Sequence, residues 1–273
     1  RAWMKPMLLL VVVALGLAVV VDGAGPKFYP DDPVLRDEDT LDTPTKPAEV
    51  ELSDLYDRFS HIFGSPGSEA RGEAENVNVL DEVAESSWFT NRHGHERMSI
   101  AELTRGPNQE AGPPGVGPWT VFATKTQGLT PGFQIRDQED NRYIIKLDPI
   151  DIPEISSAAE VIATKIFYAL GYNTPENYIT RSDLETVEIE PGTTWEDEFG
   201  DERSLTKTRI QRLLKFAPRL PDGRIRLLAS RYLPGIPLGP FRYFGTRSDD
   251  PNDVIPHEQR RELRGLRVFA AWL

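Results

Sequence analysis

The sequence predicts an α+β fold, and three observations carry that reading. Runs rich in β-branched and aromatic residues, Trp119 to Thr124, Phe133 to Arg136 and Arg142 to Asp148, are separated by turn-forming residues, the pattern of an antiparallel meander. A helical period follows at once, from Ile155 to Leu170, closed by Gly171 and followed by Pro175. One further strand, Arg226 to Leu233, precedes a last helical run that starts near Pro256. With 273 residues, 39% of them apolar and 27% charged, the chain has material for one or two cored domains.

Taken in order, Arg1 and Lys5 precede an apolar stretch from Met7 to Val21, closed by the small residues of Asp22-Gly-Ala-Gly25. That is the layout of an export signal. Its apolar core is shorter than the roughly 20 residues of a comfortable membrane span, so residues 1–23 are expected to be a cleaved signal peptide rather than a retained N-terminal anchor. The expected location is exported, in the periplasm or cell envelope, with membrane contact only through an uncleaved N-terminal segment. There is no cysteine and hence no disulfide framework, which suits a bacterial envelope protein better than a small secreted eukaryotic module. Residues 24–50, rich in Pro and Asp, read as a tether.

Residues 51–116 read as an accessory region. Leu52, Leu55, Tyr56, Phe59 and Ile62 recur at helical spacing, and Gly64-Ser-Pro-Gly67 ends that helix. Val77 to Leu80 and Ser87 to Thr90 read as short strands or irregular segments with Trp88 and Phe89 as anchors, and Ser99 to Leu103 as a single helical turn. The Gly/Pro-punctuated stretch from Gly106 to Pro118 is the best internal boundary. Residues 117–235 then hold the meander, the helix, a short strand at Tyr178-Ile179 and the strand to Leu233. Asp183 to Asp201 reads as an acidic loop. In the helix, Ile155, Ala159, Ile162, Ile166 and Leu170 form the stripe expected to face the core.

Charge divides the chain. Residues 1–200 hold 16 Lys+Arg against 35 Asp+Glu, whereas 201–273 hold 15 against 8. An acidic body excludes a general nucleic-acid binder, because neutralising phosphates needs a basic face. The basic cluster Arg203, Lys207, Arg209, Arg212 and Lys215 reads as a solvated helix face answering the acidic half, the alternative being contact with phosphate or an anionic membrane.

The residues that carry chemistry are Lys146, in Tyr143-Ile-Ile-Lys146 on the third strand, and Glu160 on the helix that follows. This order of elements resembles the small lobe of a kinase, and in particular the HipA-type and phosphatidylinositol-kinase-like atypical kinases together with exported bacterial proteins related to them. The resemblance covers about Trp119 to Leu273. It implies a kinase-like small lobe of antiparallel sheet plus one packed helix at 117–235, and the start of a helical large lobe at 236–273. It further implies that Lys146 and Glu160 are catalytic, Lys146 binding nucleotide phosphate and Glu160 holding its ammonium in place. The loop Lys125-Thr-Gln-Gly-Leu-Thr-Pro-Gly132 stands where the kinase fold covers the phosphates, so Lys125, Gly128, Thr130 and Gly132 join Lys146 as cofactor-binding candidates. It has two glycines where kinases have three, and a hairpin turn is its other reading. Leu228 to Leu233 falls at the hinge, which makes the backbone at Tyr232 the candidate for meeting adenine. The implied cofactors are ATP and Mg²⁺, the implied activity is phosphoryl transfer, and the acceptor is not specified.

Simpler roles compete for both residues. Lys146 can snorkel at a sheet edge, and Ser157-Ala-Ala-Glu160 has the spacing of a capping box in which Glu160 serves its own helix. Favouring the pair, Glu160 has no basic residue three or four positions away. A metal site is not expected: His93-Gly-His95 lacks further ligands, His61 and His257 are isolated, and the acids of Trp195 to Asp201 read as a solvated loop. No Gly-x-Ser-x-Gly elbow or Walker loop occurs. Leu266 to Leu273 reads as an unfinished apolar helix, so the chain is expected to be a fragment, inactive by itself, with the acids that orient the acceptor and hold Mg²⁺ following it. The rival expectation is a non-catalytic envelope protein, binding or structural, on the same fold.

Overall fold

Alternation of apolar and polar side chains builds a sheet whose two faces differ in character. In the computed structural model the described residues are 72–86, 89–94, 96–115, 117–125, 131–184, 187–197, 199–235, 243–247 and 249–270. The expected signal segment, the tether, the helix near 52–62, Trp88, Gly128 and Thr130 lie outside them. The strands are β1 (Thr120–Thr124), β2 (Gly132–Arg136), β3 (Arg142–Leu147), β4 (Asn177–Ser182), β5 (Glu188–Ile189), β6 (Thr194–Glu196), β7 (Glu202–Ser204) and β8 (Ile225–Arg231). The helices are α1 (Ile100–Arg105), α2 (Ile155–Leu170), α3 (Lys207–Leu214) and α4 (Arg261–Ala270). Helices beside a mixed sheet make this an α+β fold.

Six strands form one sheet in the order β4-β8-β3-β2-β1-β5, antiparallel except for the parallel β1–β5 edge. The β2–β3 hairpin turns on Asp137, whose Oδ1 accepts the N–H groups of Glu139 and Asn141, with Asp140 at a φ of 64°. One sheet face carries Val121, Phe133, Ile135, Tyr143, Ile145, Leu147, Leu227 and Ala229, buried with Trp119, Leu205 and the α3 residues Ile210 and Leu214. Strand alternation sends Lys146, Leu228 and Ser230 to the other face, where α2 lies.

That placement corrects the expected core stripe of α2. The helix has the predicted ends, but Ile155 and Ile162 are 61% and 56% exposed, and Ile166 is also exposed. The helix meets the sheet through Ser157, Glu160 and Thr164 instead, of which Ser157 and Thr164 are buried. The sheet explains the inversion, since this face offers Lys146, Asp148 and Asn177, groups that must find polar partners once covered.

The expected acidic loop is also corrected. Within Asp183 to Asp201 the chain makes β5 and β6, and β6 pairs with β7 in a hairpin. Trp195 packs against the core, with the Arg209 guanidinium 3.7 Å from its ring centroid. At the turn Asp197 accepts the N–H groups of Phe199 and Asp201 and pairs with Arg203, so these acids serve the hairpin.

The segments before β1 and after β8 pack together around the end of α2. Ser99 and Glu102 form a capping box on α1, which runs to Arg105 rather than Leu103. Val77 to Leu80 shapes a turn with Val79 and Leu80 exposed, and Phe89 bridges to Tyr172, just past α2. Trp119 donates its indole N–H to the Pro114 carbonyl, and Gly112 lies against the Tyr178 ring, where a Cβ would come within 2.5 Å of it.

Candidate functional site

The site grows from the middle of the sheet. Lys146 sits on β3 opposite Gly132 of β2 on one side and Leu228 of β8 on the other. Its Nζ hydrogen-bonds and pairs with Glu160 Oε1 of α2. The two side chains are 23% and 33% exposed, so the pair lies at a surface that solvent and solutes reach.

Glu160 is not a cap, and this overturns the capping-box reading. The N-cap position is Glu154, which makes no side-chain cap hydrogen bond and holds a left-handed φ of 69°. Ser157 is the third helical residue, and its N–H is satisfied by Asp148, the residue after β3, at 2.8 Å. The Ser157 hydroxyl donates to the other Asp148 oxygen at 2.6 Å. Arg226 of β8 completes the cluster, 3.1 Å from the same Asp148 oxygen and hydrogen-bonded to Ser157 Oγ. Asp148 and Arg226 went unnoticed in the sequence. The available signal was an Asp-Pro step after a strand, ahead of a helix that lacks Ser, Thr, Asp or Asn at its N-cap.

A second amine joins the pair. Lys125 follows β1, its N–H donating to the Gly132 carbonyl at 3.3 Å. Burial pushes its pKa below the ordinary lysine value and the Lys146 charge pushes it the same way, with Glu160 opposing both. Gly132 permits this convergence: a Cβ there would lie 2.0 Å from the Ile145 carbonyl oxygen and 3.3 Å from Lys125 Cδ. Lys125, Gly132, Lys146 and Glu160 are therefore together.

Tyr232 is at the other end of β3. Its backbone N–H donates to the Arg142 carbonyl at 2.9 Å, so that donor is committed to the sheet. With Arg142, Arg231, Glu176 and Leu233 it lines an open recess of about 750 Å3. Arg231 pairs there with Glu110 and Glu176 at 3.1 and 3.3 Å. Four residue steps along the strand lead from Arg142 to Lys146, a distance on the order of 13 Å.

Two buried polar clusters lie elsewhere. Asp253 meets His257 Nε2 at 2.7 Å and Arg260 at 3.1 Å. Burial alone would raise the Asp253 pKa, but hydrogen bonds from His257 and the Arg247 N–H, with the His257 and Arg260 charges, bring it below the usual carboxylate value. His257, expected to be isolated, is part of this cluster. Glu262, buried in the first turn of α4, hydrogen-bonds Asn76, whose Oδ1 accepts the Arg261 N–H, while Tyr172 donates to the Glu262 carbonyl. Burial raises the Tyr172 pKa to about 12, with the Glu262 charge adding to it. These groups bind the two flanking segments together.

Among the described residues no group of three His, Cys, Asp or Glu side chains is placed to hold a metal ion, and no helix is long and apolar enough to cross a membrane. Fold and site together define an α+β protein with a lysine–carboxylate pair joining a central strand to the neighbouring helix. The chain matches no protein-family model, no curated protein and no solved structure.

Proposed function

We propose that the surface around Lys146, Lys125 and Glu160 binds the phosphates of a nucleotide, as the small lobe of an atypical kinase of the HipA or phosphatidylinositol-kinase type would. The observation that carries this reading is the Lys146–Glu160 pair, formed between a central strand and a helix whose capping is done by another residue. A flexible ammonium becomes a positioned phosphate ligand when a carboxylate holds it. Lys125, whose pKa is lowered by burial and by the Lys146 charge, brings a second amine near the pair, and amines suit phosphate oxygens. The recess at Tyr232 lies on the order of 13 Å along β3, a separation an extended nucleoside triphosphate can bridge, with the base at that end.

In the complete reaction Mg²⁺ would shield the phosphates, and phosphoryl transfer to an acceptor would use acids that the resemblance places after α4. Residues of this chain hold and orient the donor. The export signal expected from residues 1–23 puts this chemistry in the cell envelope, and a non-catalytic nucleotide binder is the outcome if those acids are lacking.

Thermal melting in the presence of ATP and MgCl₂ tests the proposal. A ligand at about a hundred times its Kd stabilises the folded state by about 2.7 kcal/mol, which is roughly 5–11 °C for a chain of this size. Lys146→Ala, by weakening binding, is expected to cut the shift to between about half and a tenth of the wild-type value at the same nucleotide concentration. A wild-type protein that melts at the same temperature with and without millimolar nucleotide contradicts it.

A further inference from the structure

We infer that Asp148 is a positioning residue: it holds α2 at the separation from β3 at which Glu160 meets Lys146. The inference rests on the phosphate-site reading of that pair and deepens it, because it names what sets the pair's geometry.

The start of α2 is not self-supporting. Its N-cap residue, Glu154, contributes no cap and stands in a left-handed conformation that disfavours side chains with a Cβ. The missing acceptor comes from the sheet, where Asp148 takes both the N–H and the hydroxyl of Ser157 at 2.8 and 2.6 Å. Asp148 is 2% exposed and is itself held by Arg226 of β8 at 3.1 Å, so the carboxylate cannot swing without breaking a buried ion pair.

Geometry connects this clamp to the site. Asp148 lies two residues beyond Lys146, and Ser157 lies three before Glu160, one turn away on the same helix face. A shift of Ser157 from the sheet therefore carries Glu160 with it. A second polar contact, Asn177 Nδ2 to Thr164 Oγ1 at 2.7 Å, lies about one turn past Glu160. Glu160 thus stands between two contacts with the sheet, only the first of them charged. The far half of the helix is also held by Lys165 on the Thr104 carbonyl and by Arg92 on the Tyr168 carbonyl. On the outer face Ile155 and Ile162 are exposed, so apolar packing there does not fix the helix in their place.

Zero-length carbodiimide coupling tests the inference without any nucleotide, since it joins an amine to a carboxylate only when they touch. Peptide mass spectrometry of wild type is expected to show a Lys146–Glu160 amide that Glu160→Gln eliminates. In Asp148→Ala its yield is expected to fall about tenfold or more, within the roughly hundredfold loss that misplacing a reacting group by about an ångström can cause. Should Asp148→Ala lack a cooperative melt, Ser157→Ala decides, with a smaller but clear loss of coupling expected. Coupling unchanged in a folded variant of either kind overturns the inference. Affinity for ATP is measured on the same proteins: coupling lost with Asp148 supports the positioning role even where wild type binds no ATP, a result that instead refutes the phosphate-site reading.

Discussion

Replacing Lys146 by alanine separates a binding role from a structural one. The Lys146–Glu160 pair is 23% and 33% exposed, so water and salt screen it, and pairs of that kind contribute about 0–1 kcal/mol. At roughly 2–4 °C per kcal/mol for a chain this long, the melting temperature without ligand should fall by no more than about 4 °C. Losing an amine that holds a phosphate removes a charge-assisted hydrogen bond of about 1.5–3 kcal/mol, a rise in Kd of roughly 10- to 150-fold. Titration calorimetry with ATP, beside melts of the unliganded proteins, measures both quantities. A variant that melts far lower yet binds ATP as before would show that the pair is a strut and refute the reasoning.

Other expectations follow from the same geometry. Lys125→Met should raise the melting temperature near neutral pH while weakening ATP binding, opposite signs that calorimetry and melting resolve. The sign follows from linkage: burial and the Lys146 charge lower the Lys125 pKa in the folded state, so this group's contribution to stability rises with pH from that lowered value up to the ordinary lysine value, and at neutral pH its charge opposes folding. Gly132→Ala forces a Cβ onto the Ile145 carbonyl and should cost about 1–3 kcal/mol in urea unfolding, with ATP affinity lost as well. Asp253→Asn breaks an ion pair in which both side chains are 1% exposed, at about 3–5 kcal/mol in the same measurement. Because the folded Asp253 pKa lies below its ordinary value, its contribution in wild type is present above that ordinary value and lost as pH falls through the folded one, so acid should destabilise wild type more than the variant.

Strong local periodicity was readable directly from sequence. The three strands of the meander and the helix at 155–170 fall where alternation, Gly171 and Pro175 place them, because each signal is complete within a few residues. What escaped depends on partners far along the chain. The isoleucines of α2 look like a core stripe, yet the sheet face beneath the helix carries Lys146, Asp148 and Asn177, so the serine, glutamate and threonine turn inward. The strands between 188 and 204 are two or three residues long, too short to show a period. Of the candidate site, Lys146 and Glu160 were legible as a pair from the order of elements. The Ser157–Glu160 spacing suggested a cap that the structure assigns to Asp148, a residue of the strand end. His257 looked solitary because its cluster with Asp253 and Arg260 forms only when the chain folds back on itself.

The central claim is that a nucleotide's phosphates lie against the amines of Lys146 and Lys125. An acyl-phosphate derivative of ATP tests it most directly, since it transfers its acyl group to whichever lysine amine lies beside the terminal phosphate. Peptide mapping is expected to find the label on Lys125, whose lowered pKa frees its amine more readily, and on Lys146, with excess ATP suppressing both. Label spread over other lysines, or undiminished by ATP, would contradict the account.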